Sequence, residues 1–210
     1  MLTSMAFLVG AVLRIDGVFL PFLTYDAKDV VILFGGFMFG PAAALLMSVV
    51  TAILEMSTVS VTGLIGALMN ALASASFACT AAFFYSKNRN LKGAAIGLVI
   101  GAIVSTLVML LWNYFIIPLY APNIAREDVL AMMLPILLPF NLMKTGLNAF
   151  LALLLYKKVS AALKLAGLYA ESSEKKSSST AQIIIMAVAA VAAVALIVGL
   201  FLVRWTPPVS

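Results

Sequence analysis

Apolar positions run along this chain in blocks of membrane-crossing length, separated by short polar interruptions. Six blocks come first, over residues 2–20, 30–39, 41–57, 62–85, 93–117 and 129–157. A polar stretch, ESSEKKSSST, then precedes a detached Ala/Val-rich block over 181–203. A bilayer core of about 30 Å takes roughly 20 helical residues at ~1.5 Å each. The pattern therefore predicts an all-α integral membrane protein. It divides into a six-helix bundle over 1–165, a polar cytoplasmic linker over 166–180 and an additional transmembrane helix over 181–204. An outer-membrane barrel is excluded, since its strands alternate in segments of roughly 10 residues. The second block is too short to cross upright, and the sixth is broken in its first half by Pro135 and Pro139. Broken spans are tolerated where protein or a cavity covers the freed backbone, so both point toward a binding site.

Composition agrees: 64% of the 210 residues are hydrophobic and 10% charged, too few polar side chains to coat a water-soluble globule. The absence of histidine rules out Ser-His-Asp chemistry, HExxH sites and His-ligated metals. The single cysteine, Cys79, makes no intrachain disulfide and reads as a small buried helix residue. Neither GxxxxGK[ST] nor GxGxxG occurs, so the chain is not expected to bind or hydrolyse ATP itself, and no cofactor is expected.

The net charge of +5 sits beside the spans, where it sets topology rather than nucleic-acid binding. Eight basic residues fall on one side (Lys87, Arg89, Lys92, Lys157, Lys158, Lys164, Lys175 and Lys176) against Lys28, Arg126 and Arg204 on the other. The first side is therefore expected to be cytoplasmic, with the N-terminus inside. The first block reads as a span rather than a cleavable signal, being of span length and lacking a basic start. Four pieces then share the outer side: the PFLTYDAKD loop, the STVSVTG loop, the end of the fifth span and the start of the sixth.

Within these pieces, Asn141, Lys144 and Asn148 are spaced i, i+3, i+7 and share a helix face. A lysine at this depth faces a cavity or a partner, or snorkels to the headgroups. Asn113 lies among Trp112, Tyr114 and Phe115, a pattern that suits an interfacial aromatic belt or the wall of a planar ligand. Asp26 and Asp29 read as an N-cap for the second helix or as acceptors for ligand hydroxyls. As a lone pair with no second acidic cluster they make a poor metal site, and no metal is expected. Glu55 reads as a solvated interfacial carboxylate and Asn70 as interhelical glue. Arg14 and Asp16, near the outer end of the first span, snorkel or pair.

The strings PFLTYDAKD, FGGFMFGP, TGLIGALMN, WNYFIIPLY and PFNLMK, in this order and spacing, resemble the riboflavin-type substrate-binding S components of energy-coupling factor (ECF) vitamin transporters over roughly residues 1–165. The resemblance implies a six-helix S-component bundle in a prokaryotic plasma membrane. Such a protein captures riboflavin from outside and docks on a transmembrane coupling subunit and two cytoplasmic ATPases. It implies Asn113, Asn141 and Lys144 as ligands of the flavin ring; Trp112 and Leu142 are expected to cover the rings, and Thr24, Tyr25, Asp26 and Asn70 are expected as further site residues. Asn148, one turn deeper, is expected to matter less. Ala6 and Gly10, spaced by four, match the small residues by which such a first helix docks on its coupling subunit. The competing readings are an S component for another vitamin or a modified base, and a membrane enzyme or structural subunit. The last is weakened by the lack of any acid–base or nucleophilic constellation.

Overall fold

The computed structural model describes residues 1–15, 23–58, 63–120 and 123–165. The linker, the seventh span, Asp16 and the middle of the STVSVTG loop lie outside the described residues. Within the described residues seven helices follow one another: α1 (Leu2–Val12), α2 (Lys28–Phe39), α3 (Pro41–Thr58), α4 (Gly63–Lys87), α5 (Leu91–Tyr120), α6 (Arg126–Met132) and α7 (Leu138–Leu165). A π-helical turn, Met133–Leu137, joins α6 to α7, so that these two and the turn make up the sixth predicted span. Among the described residues, four stretches are long and apolar enough to cross a membrane: Pro41–Thr58, Gly63–Lys87, Leu91–Leu119 and Arg126–Val159.

The local causes are visible in the sequence. Gly40 takes a φ of 91°, a conformation that only glycine adopts without strain, and Pro41 then opens α3 with no N–H to lose. Pro135 cannot donate to the preceding turn, and the chain absorbs the missing bond by widening to the π turn. The α6 start is tied by the Asp128 carboxylate, which accepts a hydrogen bond from the Ala125 N–H at 2.9 Å.

The first span is shorter than its hydrophobicity predicts. Helix α1 stops at Val12, and Arg14–Ile15 (β1) then pairs antiparallel with Tyr25–Asp26 (β2), Arg14 opposite Asp26. The strand pairing takes up backbone groups that a longer helix would have satisfied within itself. Helix α2, short as predicted, is buried at nine of its twelve residues and packs on α1, α3, α4 and α7. Most of this short span is thus covered by protein, as its length requires.

Along the helices the interior falls into layers. One apolar cluster gathers Ile32, Leu33 and Phe37 of α2, Phe77 and Ala81 of α4, Leu98 of α5 and Ala152 of α7. A second joins Leu23 to Ile117 of α5, Val129 of α6, Leu137 and Phe140. In chain order on α7, the buried polar residues Asn141, Lys144, Thr145 and Asn148 come between the two. Ser105 and Thr106 take the same place on α5.

Ala6 and Gly10, expected as a docking surface, are both buried on the inward face of α1. A Cβ at Gly10 would stand 3.2 Å from Glu55 Oε1 and 3.2 Å from Lys28 Cβ. The small pair lets α1 approach α2 and α3 inside the bundle, which corrects the docking expectation.

A second pair of small residues, Gly97 and Gly101, spaced by four, sets the α4–α5 contact. A Cβ at Gly97 would meet the Ala81 carbonyl oxygen at 2.6 Å, and one at Gly101 the Phe77 carbonyl oxygen at 2.7 Å. Gly97→Ala should therefore part the helices and lower the thermal unfolding midpoint in detergent, at a cost of about 1–3 kcal/mol. Gly146→Ala, whose Cβ meets nothing within 4 Å, should leave the midpoint unchanged or raise it.

Candidate functional site

The segment 23–29 carries the chain from the β pair into α2, and its charged side chains, Asp26, Lys28 and Asp29, are all buried. Lys28, in the first turn of α2, is 2% exposed and donates to both carboxylate oxygens of Glu55 on α3, at 2.8 and 2.6 Å. Asn70 of α4 donates to the same Glu55 at 3.2 Å. Asp29 is equally buried; its carboxylate accepts from the Ser74 hydroxyl of α4 at 2.5 Å and from the Asn148 amide of α7 at 3.2 Å. Asp26 Oδ2 lies 3.1 Å from the Lys144 ammonium of α7 and 3.4 Å from that of Lys28.

Asn148 is fully buried and acts as a hub. It accepts from the Tyr25 hydroxyl at 3.2 Å, and it donates to the Asp26 carbonyl at 3.3 Å and to Asp29. Lys144 also reaches the Thr24 carbonyl oxygen, at 3.5 Å. Buried charge costs least when it is paired or hydrogen-bonded, and here Asp26, Lys28, Glu55 and Lys144 are ion-paired while Asp29 is held by hydrogen bonds, with partners from four helices and the loop.

In the loop the electrostatics follow from burial and neighbours. Burial by itself pushes the Asp26 carboxyl up, but the Lys144 and Lys28 ammoniums outweigh it and hold the group below the usual carboxylate range. The Tyr25 phenol is raised above its ordinary value by burial, and further by the charges of Asp26 and Asp29.

The remaining predicted residues lie nearby in the fold without joining the network. Asn113 and Trp112 are buried on α5, which packs on α7. Asn141, one turn before Lys144, is buried and donates to the Leu137 carbonyl at 2.7 Å, leaving its amide oxygen for other donors. The Trp112 Nε1 and Asp26 Oδ1 atoms are buried with no hydrogen-bond partner among the described residues. Inward donors and acceptors of this kind suit a ligand that carries both on one planar edge.

A family model described as "ECF transporter, substrate-specific component" matches residues 1–156. This chain belongs to the S components of ECF transporters. Among its curated relatives is the riboflavin transporter RibU of Staphylococcus aureus, 34% identical over 149 residues, covering 69% of this chain and 78% of that one. Another is the riboflavin transporter FmnP of Bacillus subtilis, 28% identical over 153 residues, covering 69% and 80%. Its fold is similar to that of a solved S component of a bacterial ECF transporter, with a TM-score of 0.65 at 34% identity over 78% of this chain and 94% of the other. The S component is thus a plasma-membrane transport protein and not an enzyme, as its sequence implies.

Several site expectations need correction in this S component. Glu55 is not solvated at an interface but 7% exposed and ion-paired. Neither aspartate caps α2: its N-cap position is Ala27, without a side-chain bond, and the two carboxylates turn to different partners. Leu142 is 46% exposed, unlike its buried neighbours Asn141 and Lys144 on the same helix. Lys28, counted as a topology-setting loop charge, is the most enclosed cation of the network. One signal was present in the sequence. Lys28, Asp29 and Glu55 all flank apolar runs that must pack on other helices, where an ionised group needs a partner.

Removing one member of the Lys28–Glu55 pair strands a buried charge. Glu55→Ala should destabilise the S component by about 3–5 kcal/mol, and the double variant Lys28→Met/Glu55→Leu should recover most of that loss. Thermal unfolding of the purified protein in detergent, comparing the single with the double variant, checks both.

Proposed function

We propose that this S component is the riboflavin-binding subunit of an ECF transporter, capturing the vitamin from outside the cell with its N-terminus in the cytoplasm. The observation that carries the reading is Lys144. It is a buried lysine on α7 that donates to Asp26 and to the Thr24 carbonyl, and it stands one turn from a buried asparagine. Asn113, Asn141 and Lys144, the residues that the riboflavin-type resemblance implies, are all buried on α5 and α7. The relatives' descriptions as riboflavin transporters support the same ligand.

The chemistry fits. The pyrimidine edge of an isoalloxazine alternates carbonyl acceptors with an N–H donor. Asparagine supplies both donor and acceptor, and lysine donors only. In a dry site each missing partner costs about 1–3 kcal/mol, which is how analogues are rejected. Trp112 supplies an aromatic face beside Asn113.

Titration with riboflavin should quench the flavin fluorescence at one site per chain. Asn141→Ala and Lys144→Ala should each weaken binding by about 1–3 kcal/mol. Folded protein with no quenching and no calorimetric signal would remove riboflavin from the reading, and unchanged affinity in both variants would place the ligand elsewhere.

Transport requires partners. We infer that the S component docks on a transmembrane coupling subunit driven by two cytoplasmic ATPases, because its own sequence holds no phosphate-cradling loop. Liposomes containing this chain alone should bind riboflavin without accumulating it, and concentrative uptake should appear only when the coupling subunit and ATPases are reconstituted with it. Robust uptake by the isolated chain would identify a secondary transporter.

A further inference from the structure

The network contains three carboxylates (Asp26, Asp29 and Glu55) and two ammoniums (Lys28 and Lys144), all less than 9% exposed. Their geometry divides the charges unequally. Glu55 meets Lys28 with both oxygens, at 2.6 and 2.8 Å, which satisfies that ammonium. Asp29 is satisfied by two uncharged donors, Ser74 and Asn148. Asp26 is left as the counter-charge of Lys144, at 3.1 Å, with its longer 3.4 Å approach to Lys28 secondary.

An ammonium has three N–H donors and no acceptor. Two of those of Lys144 are directed at the 24–26 segment, to Asp26 Oδ2 and the Thr24 carbonyl. With those two fixed, the direction of the third is fixed as well. The Asp26 carboxylate is itself held by its own backbone, since the Asp26 carbonyl accepts from Asn148 one turn beyond Lys144 on α7. Tyr25 is tied to the same asparagine.

We propose that Asp26, anchored by Asn148, is a positioning residue that aims the Lys144 ammonium at the ligand. Its part in ligand recognition is then to orient a donor, and Asn148, expected from its depth to matter less than Asn141 and Lys144, sets the whole arrangement. The proposal rests on the reading of Lys144 as a riboflavin ligand.

The test uses the full chain in detergent, with Asp26→Asn, Lys144→Gln and the double variant. Two readouts are taken: the riboflavin dissociation constant, and the labelling of each lysine by an amine-reactive reagent, followed by mass spectrometry without ligand. Asp26→Asn should weaken riboflavin at least about tenfold, a difference of about 1.4 kcal/mol. In the Lys144→Gln background the same change should add less than about twofold, because the group it positions is gone. Asp26→Asn should also raise the labelling of Lys144 while Lys28, held by Glu55, stays protected; a general loosening of the bundle would expose both. Asn148→Ala, which keeps both ionised partners, should reproduce the affinity loss and the selective labelling, and it serves where Asp26→Asn does not fold. Equal penalties in both backgrounds, or unchanged Lys144 labelling in both variants, would overturn the positioning role. A wild type that binds no riboflavin while Asp26→Asn still exposes Lys144 alone would remove the riboflavin reading and leave the positioning of the ammonium standing.

Discussion

The bundle is organised by the need to pair charges where water is scarce. Lys28 and Glu55, on consecutive helices, close around one another. Asp26 and Lys144, 118 positions apart in the chain, do the same. Neither contact is a gain over well-packed hydrophobic side chains, since desolvating two ions offsets most of their attraction. The weight of such pairs lies in what happens when they are broken: an unpartnered charge in this interior is several kcal/mol above the paired state, at about 3–5 kcal/mol per broken pair. Arrangements that misplace α2, α3 or α7 would leave at least one charge alone, so the pairs select one packing among many that are equally apolar.

The apolar layers on either side give the network its strength. The cluster around Leu33, Phe77 and Leu98 lies toward one end of the helices, and that around Ile117, Leu137 and Phe140 toward the other. By keeping water away from the polar layer they raise the value of every hydrogen bond made there and of every bond left unmade. A binding site built on this layer discriminates by polar complementarity, and the hydrophobic contacts supply affinity without much selectivity. The close approach of α4 and α5 through Gly97 and Gly101 contributes by bringing Ser105 within 3.0 Å of the Ala73 carbonyl. That bond satisfies a buried hydroxyl which would otherwise weaken the layer.

The same fold explains why ligand recognition and the attachment of the 23–29 segment cannot be separated. Thr24, Tyr25, Asp26 and Asp29 each bond directly or through Asn148 to α7, the helix that carries Asn141 and Lys144. A change in that segment therefore reaches the ligand-facing donors through one or two hydrogen bonds, with no need for a long-range rearrangement.

The six-span order of residues 1–165, the short second span and the Pro-broken sixth were legible in the sequence. They depend on local rules: the length of an apolar run against bilayer thickness, and the missing N–H of proline. The strings from PFLTYDAKD to PFNLMK also identified the family and singled out Asn113, Asn141 and Lys144. What the sequence by itself left undecided was which face of each helix meets protein and which meets lipid. In this chain both environments are apolar, so exposed Leu46, Ile53 and Leu142 look like the buried Leu33 and Leu98. Glu55 and Lys28 were misjudged for that reason, as was the inward pair Ala6 and Gly10. The end of α1 at Val12 likewise depended on a strand partner ten or more residues away. Helical geometry fixes where a residue stands along and around its own helix, and only the packing of one helix on another decides what a charge at that position will meet.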